Sequence, residues 1–279
     1  MKQRILLASG NAKKLAELRA LCADLPIEIL SPADLPVGLP EVVEDGETFL
    51  DNATKKALSA VVAGSDQLLC DAWALADDSG LCVDALGGAP GVYSARFAAL
   101  GHEGGLGQEG GLGQEGGLGQ EGGLGQEGGL EQERNLAGPA AGNCDDGANN
   151  QKLLQKLQGL PPQQRGAAFH CTLVLAQIKA GTQVRESCQW AETHSKGEIC
   201  QPSAGVGEVI FATEGSVRGR ILEEADGVGG FGYDPLFWHE ESGCSFARLS
   251  GEQKAQVSHR GQAVRQLTTM LQNYFSELS

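Results

Sequence analysis

Hydrophobic side chains recur along this chain with two periods, and the switches between them lay out its elements. Arg4–Ala8 (RILLA) is a short apolar run ending in Ser9-Gly10-Asn11, which reads as a strand running into a turn or helix cap. Leu15, Leu18, Leu21, Cys22 and Leu25 then recur at the spacing of one helix face. Phe49, Ala53, Ala57 and Val61 mark a second helix, which Gly64 is expected to close. Trp73–Ala76 reads as a strand ending in Asp77-Asp78-Ser79-Gly80. Gln151–Leu157 fits a short helix, and Phe169–Ile178, Val184–Ala191 and Val209–Thr213 fit strands of a sheet. Ser250 and Gln253 form a capping-box pattern ahead of a C-terminal helix carrying Val257, Val264, Leu267 and Leu271. Strands interleaved with helices predict an α/β domain.

One stretch breaks this pattern. Gly104 to Glu127 repeats GGLGQE four times, and Gly128 to Glu133 (GGLEQE) is an altered fifth copy. A six-residue period is compatible with a β-solenoid. Each unit, however, offers a single Leu as its large apolar side chain, against many glycines that lose much entropy on ordering. The expectation is therefore disorder. Asn135–Asn149 continues in Gly, Ala, Asn and Asp and reads as loop. His102–Ala148 is taken as one insertion in a single domain spanning residues 1–279.

Charge and cysteine usage narrow the function classes. The net charge is -15, and removing the six glutamates of Gly104–Glu133 leaves -9. No basic face is visible, which argues against a nucleic-acid partner. The eight cysteines show no C-x-x-C pair, so neither a zinc site nor a redox motif is indicated. Several lie in apolar runs, as reduced thiols of a cytoplasmic protein do. The opening MKQRILLASGNAKK is too weakly apolar for a secretory signal, and no run reaches the length of a membrane span.

Four stretches could carry chemistry. Ser9-Gly10-Asn11-Ala12-Lys13-Lys14 joins a strand to a helix, whose N-terminus attracts phosphate and to which Lys14 adds charge. Taken alone, an ordinary capped helix with solvent-facing lysines is the simpler reading. Asp77-Asp78-Ser79-Gly80 places two carboxylates side by side, a repulsion that a divalent ion would relieve, with Glu41, Glu44 and Asp45 as a source of another ligand. The plain alternative is an acidic turn. Gly227–Gly232 matches G-x-G-x-x-G, but Pro235 and the aromatics Phe231, Tyr233 and Phe237 argue against the helix that a dinucleotide fingerprint needs. A glycine-flanked Phe231 suits a stacking platform for a base instead. Lys254, Ser258, His259, Arg260 and Gly261 gather donors suited to phosphate or carbonyl oxygens, or make a plain charged helix surface.

Taken together, these stretches resemble the inosine/xanthosine triphosphate pyrophosphatases. DDSGLCVDALGGAPGVYSARFA from Asp77 to Ala98 is a near-continuous match, flanked in family order by LASGNAKKLAEL, EDGETFLDNATKKA, AAFHCTLVLA, GFGYDPLF and QKAQVSHRGQA. The resemblance covers the chain except the insertion and the region near Gly181–Gly205. It implies an elongated, two-lobed α/β fold with a central mixed sheet, a substrate cleft between the lobes and a homodimer. Ser9, Gly10, Asn11, Ala12, Lys13 and Lys14 are similar to the triphosphate-binding loop, and Lys56 to a phosphate-side lysine. Glu44 and Asp78 resemble carboxylates that hold Mg²⁺, Asp78 also the general base, and Ser79 a neighbouring substrate contact. Phe231, Gly232, Tyr233 and Asp234 look like the segment that stacks on and bonds the base. Lys254, His259 and Arg260 resemble its polar readers.

The implied reaction is hydrolysis of non-standard purine nucleoside triphosphates (ITP, dITP, XTP) to monophosphate and pyrophosphate, the work of nucleotide-pool cleansing. Two departures stand out: Lys13 replaces a glycine common in bacterial members, and Ser9 replaces a threonine. Two rival readings are a sister pyrophosphatase of different base specificity and a non-catalytic nucleotide-binding protein.

Overall fold

The N-terminal apolar run forms β1 (Gln3–Leu7), and Asn11 then starts α1 (Ala12–Leu21) by accepting the amides of Lys13 and Lys14. This is the cap foreseen at Ser9-Gly10-Asn11. The computed structural model describes residues 2–68, 73–100, 144–178 and 206–277. The GGLGQE repeats and the strand read at Val184–Ala191 lie outside the described residues. After α1 come β2 (Ile27–Leu30), α2 (Phe49–Leu68), β3 (Trp73–Val83), α3 (Asp146–Lys156), β4 (Gly166–Ile178) and β5 (Gly207–Ile221). The short strands β6 (Phe237–His239) and β7 (Cys244–Ser245) precede two helices, α4 (Gly251–Val257) and α5 (His259–Glu277).

One mixed sheet organises these elements, in the order β2-β1-β3-β4-β5-β6-β7. β1 runs parallel to β2 and β3, whereas the pairings from β3 to β7 are antiparallel. The positions of the helices follow from side-chain alternation in the strands. Ile5, Leu75 and Leu173 face α1 and α5, where Leu18, Val264 and Leu267 complete a cluster. Ala74, Ala76 and Val174 face the small residues Ala53, Ala57 and Val61 of α2. A third cluster around Phe169, Phe237 and Phe246 packs against Leu153 and Leu157 near α3. Among the described residues, no helix is long and apolar enough to cross a membrane. Burial pushes the thiols of Cys22 and Cys171 up to about 11 and about 12, as expected for inert core cysteines.

Several boundaries differ from the sequence reading. Gly64 does not close α2, which continues to Leu68. A Cβ at Gly64 would meet Leu6 Cδ2 at 2.5 Å, so this glycine lets the helix lie close on β1. The polar run Asp77-Asp78-Ser79-Gly80 is not the end of a strand but the middle of the 11-residue β3. β2 was not read, being only 4 residues long, though it does alternate buried and exposed. α3 begins at Asp146 rather than Gln151, capped by Asp145, and β5 extends well beyond Val209–Thr213. The C-terminal helix is two helices. Ser258 is extended (ψ 157°) and accepts the amide of Gly261, ending α4 and capping α5. The Ser250–Gln253 capping box is present as expected.

Candidate active site

The cleft opens where β3 outruns its neighbour. β1 pairs with β3 only from Trp73 to Leu75, whereas β4 pairs with β3 from Ala74 to Val83. Beyond Leu75, β3 therefore has a strand on one side and the turn after β1 on the other. A cavity of about 1120 Å³ lies there, lined by Ser9, Lys14, Lys56, Asp78, Phe231 and Lys254 among others.

Successive residues of a strand point to opposite faces, so Asp77 and Asp78 part company. Asp77 faces α1 and α5. Its Oδ1 accepts from Lys14 Nζ at 2.8 Å, and its Oδ2 accepts from Arg260 Nη2 at 3.1 Å and Nε at 3.3 Å. Arg260 also donates to Glu17 at 2.7 Å and to the Ser79 hydroxyl at 3.1 Å. Asp78 faces α2. Lys56 Nζ donates to its Oδ1 at 2.8 Å, Asn52 approaches its Oδ2 at 3.4 Å, and Glu44 lies 3.2 Å from the same ammonium. The expectation of two adjacent carboxylates sharing one ion is thus corrected: each has its own cation on its own face.

The electrostatics follow these pairings. Burial alone would raise the Asp77 carboxyl, but Lys14, Arg260 and Lys56 outweigh it and hold Asp77 well below the usual carboxylate range. For Asp78, burial dominates, Glu44 adds to it, and the carboxyl is pushed above its ordinary value despite Lys56. Lys56 is buried too, yet the charges of Asp78 and Glu44 overcome that cost and raise it, so it stays an ammonium. A Mg²⁺ ion typically takes one or two carboxylates and fills its remaining positions with water and phosphate oxygens. Glu44 and Asp78 converge on one cationic point and fit that requirement. Among the described residues, no group of three or more His, Cys, Asp or Glu offers a fuller cage.

Beside the start of α1, Ser9, Gly10, Asn11 and Lys14 line the cavity. The amides of Lys13 and Lys14 are already held by Asn11, at 2.9 Å and 3.2 Å, so this helix start offers fewer free N–H groups than the sequence suggested. Ala12 and Lys13 are exposed, and neither lines the cavity. Asp45 is drawn away to Lys55.

At the other end, Gly230 and Gly232 adopt φ of 74° and 61° and fold the chain around Phe231. No helix opens at Gly232, the next element being β6, so the G-x-G-x-x-G pattern is not a dinucleotide fingerprint here. Asp234 Oδ2 accepts the Phe231 amide at 2.8 Å and Lys254 Nζ at 2.6 Å. Lys254 also stands 4.6 Å from the Phe231 ring centre. His259 is buried against Phe169, with ring centres 4.8 Å apart, and burial pushes it well below its usual value, so it is a neutral imidazole. Its Nδ1 has no partner among the described residues.

Not every sequence-predicted residue has the place expected of it. Arg260 is 1% exposed and bonded to Asp77, Glu17 and Ser79, and it also lines the cavity with its guanidinium 5.6 Å from the Phe231 ring centre. The Tyr233 hydroxyl turns away to donate to the Ser94 carbonyl at 2.9 Å. Sequence reasoning missed Glu17, Asn52, Asp146 and Asn150. Asp146 accepts the Gly232 amide at 2.7 Å, and Asn150 donates to the Gly232 carbonyl at 3.0 Å. These two are one helical turn apart on α3, a spacing that the loop reading of Asn135–Asn149 hid by taking in Asp146.

Comparison with known proteins finds relatives along nearly the whole chain. The profile of the Ham1 family matches residues 5–110 and 129–270. The chain is 40% identical over 276 residues to a dITP/XTP pyrophosphatase of Anaeromyxobacter sp., spanning 98% of both chains. It is 36% identical over 275 residues to a dITP/XTP pyrophosphatase of Lactiplantibacillus plantarum, covering 99% of this chain and 98% of that one. Among solved structures, a HAM1 protein from Coxiella burnetii superposes with a TM-score of 0.62 at 30% identity, covering 97% of this chain and 99% of that one. A nucleoside-triphosphatase / dITP/XTP pyrophosphatase from Mycobacterium abscessus gives a TM-score of 0.54 at 31% identity, covering 95% and 98%.

Proposed function

We propose, from the premise that this chain belongs to the Ham1 family, that it hydrolyses dITP, ITP and XTP to the nucleoside monophosphate and pyrophosphate. The observation that carries this reading is one cavity lined by Lys14, Lys56 and Lys254, the raised carboxyl of Asp78 and the aromatic ring of Phe231. In the reaction, the oxygen of a water molecule bonds to the α-phosphorus. The bond from that phosphorus to its bridging oxygen breaks, and pyrophosphate leaves. Asp78 orients the water and accepts its proton, a task helped by a carboxyl more basic than usual. The ammonium groups of Lys14 and Lys56 stabilise charge gathering on the phosphate oxygens. Mg²⁺ held by Glu44 and Asp78 would neutralise phosphate charge as the phosphorus is attacked. The Asp77–Arg260 pair fixes Lys14 from behind.

Base selection belongs to the opposite end. Phe231 offers its ring to a purine, while Lys254 and the neutral His259 supply polar edges. Donors placed for a 6-oxo group meet another donor in adenine, a mismatch that can discriminate by about 10⁴. A homodimer completes the reading and rests on the resemblance alone, while a cytoplasmic location rests on the cysteine usage. The test is a panel of ITP, dITP, XTP, ATP and GTP with Mg²⁺, with products resolved. Pyrophosphate from ITP, dITP and XTP and little turnover of ATP are expected. Equal rates on ATP and ITP would refute the base selection, and orthophosphate as the direct product would refute the bond assignment.

A further inference from the structure

The phosphate end and the base end of the cavity are joined by a contact that the reaction itself does not require. Lys13 Nζ donates to the Gly230 carbonyl at 3.2 Å, bridging residues 217 apart in sequence. The same ammonium stands 5.8 Å from the ring centre of Phe231, the next residue. Both ends of this tie are fixed. The Lys13 amide is held by Asn11 in the first turn of α1. Gly230 has a φ of 74°, and a Cβ there would lie 2.1 Å from Asp234 Oδ2, so its backbone packs directly against the Asp234–Lys254 pair with no room for a side chain. Lys13 also differs from the other lysines of the site. Lys14, Lys56 and Lys254 each meet a carboxylate, whereas among the described residues the acceptor of Lys13 is a neutral carbonyl.

We propose that Lys13 is a positioning residue that holds the Gly230–Phe231 platform in register with the phosphate loop, so that base and triphosphate are bound at a fixed separation. This rests on the functional reading above. A tie of this kind helps a ligand that spans both ends and is irrelevant to one that occupies the phosphate end alone. A solvent-exposed charged hydrogen bond should then be worth about three- to tenfold in affinity for the spanning ligand.

The experiment compares wild type with Lys13→Met and Lys13→Arg, measuring kcat and KM for ITP and inhibition by inorganic tripolyphosphate. Lys13→Met should raise KM for ITP by about three- to tenfold with a smaller change in kcat, and leave the tripolyphosphate inhibition constant within about twofold. Lys13→Arg keeps charge and reach and should restore KM. Combining Lys13→Met with Phe231→Ala should add little to the effect of Phe231→Ala alone, because the tie acts through that ring. A parallel loss of tripolyphosphate affinity would show that Lys13 binds phosphate directly and overturn the proposal, as would an unchanged KM in an active enzyme. A wild-type protein inactive on ITP would instead defeat the functional reading, and this proposal with it.

Discussion

Replacing Asp77 with asparagine is the most demanding test of the site's electrostatics. The substitution keeps the shape and removes one charge. The side chains of Asp77 and Arg260 are 0% and 2% exposed, and that of Lys14 is 19% exposed. Arg260 would keep Glu17, but Lys14 would lose its carboxylate, and the new amide would point hydrogens where acceptors are needed. Removing one partner of a buried ion pair costs about 3–5 kcal/mol, because it strands the other charge. At about 2–4 °C per kcal/mol for a domain of this size, the melting temperature should fall by about 6–20 °C. The pH dependence has a definite sign. Asp77 is held below the usual carboxylate range, so its contribution is complete above the unfolded value of about 3.9 and fades as pH falls below it. The gap between wild type and Asp77→Asn should therefore be full at neutral pH and shrink in acid. Thermal melts followed by circular dichroism at both pH values measure it. Asp84→Asn is the control, since it breaks an exposed pair with Arg218 and should cost under about 1 kcal/mol. If Asp77→Asn melts no lower than Asp84→Asn at neutral pH, the buried network does not stabilise the fold and the reasoning is wrong.

Three further outcomes are expected. Asp78→Asn should remain folded and lose about 10²–10⁴-fold in ITP turnover through loss of the base; near-normal turnover in a folded variant would remove Asp78 from the mechanism. Arg260→Ala should lower stability as well as activity, by about 3–5 kcal/mol, because it leaves Asp77 and Glu17 short of a partner in a buried site; an unchanged urea midpoint would contradict this. Replacing Gly104–Glu133 with a short Gly-Ser linker should leave ITP turnover within about tenfold, since each doubling of a loop costs only about 0.6 kcal/mol; a larger loss would mean the repeats act on the cleft.

Features whose cause lies nearby in sequence were legible. The Asn11 cap, the Ser250–Gln253 capping box and the helical faces of α1, α2 and α5 each depend on residues within a few turns. The polar residues of β3 were misread as a strand end for the opposite reason. Asp77 can stay buried in a strand because Lys14 and Arg260 reach it, and those lie 63 and 183 residues away. Gly64 shows the same limit, since its role is to make room for Leu6 rather than to stop α2. The break at Ser258 was within reach: a serine followed three residues later by an amide it can accept is a cap, here masked by an apolar pattern that continues through it. The stretches that meet in the cavity were legible because each is contiguous in sequence. The partners of Arg260 and Tyr233 were not legible, because burial and side-chain direction are properties of the assembled fold.

β3 also determines how variants of this protein should be interpreted. Its two faces carry separate contact systems, Lys14–Asp77–Arg260–Glu17 on one and Lys56–Asp78–Glu44 on the other. No hydrogen bond among the described residues joins them, yet the charge of Lys56 is felt by Asp77 and that of Lys14 by Asp78. The strand is thus opaque to touch and transparent to field. A neutral residue at position 14 would remove a charge that favours the ionised form of Asp78, although the two make no hydrogen bond. Crosstalk of this kind means that a slower variant is not evidence of a lost substrate contact. Assigning a role to either lysine requires following the proton affinity of the carboxylate behind the sheet as well as the rate.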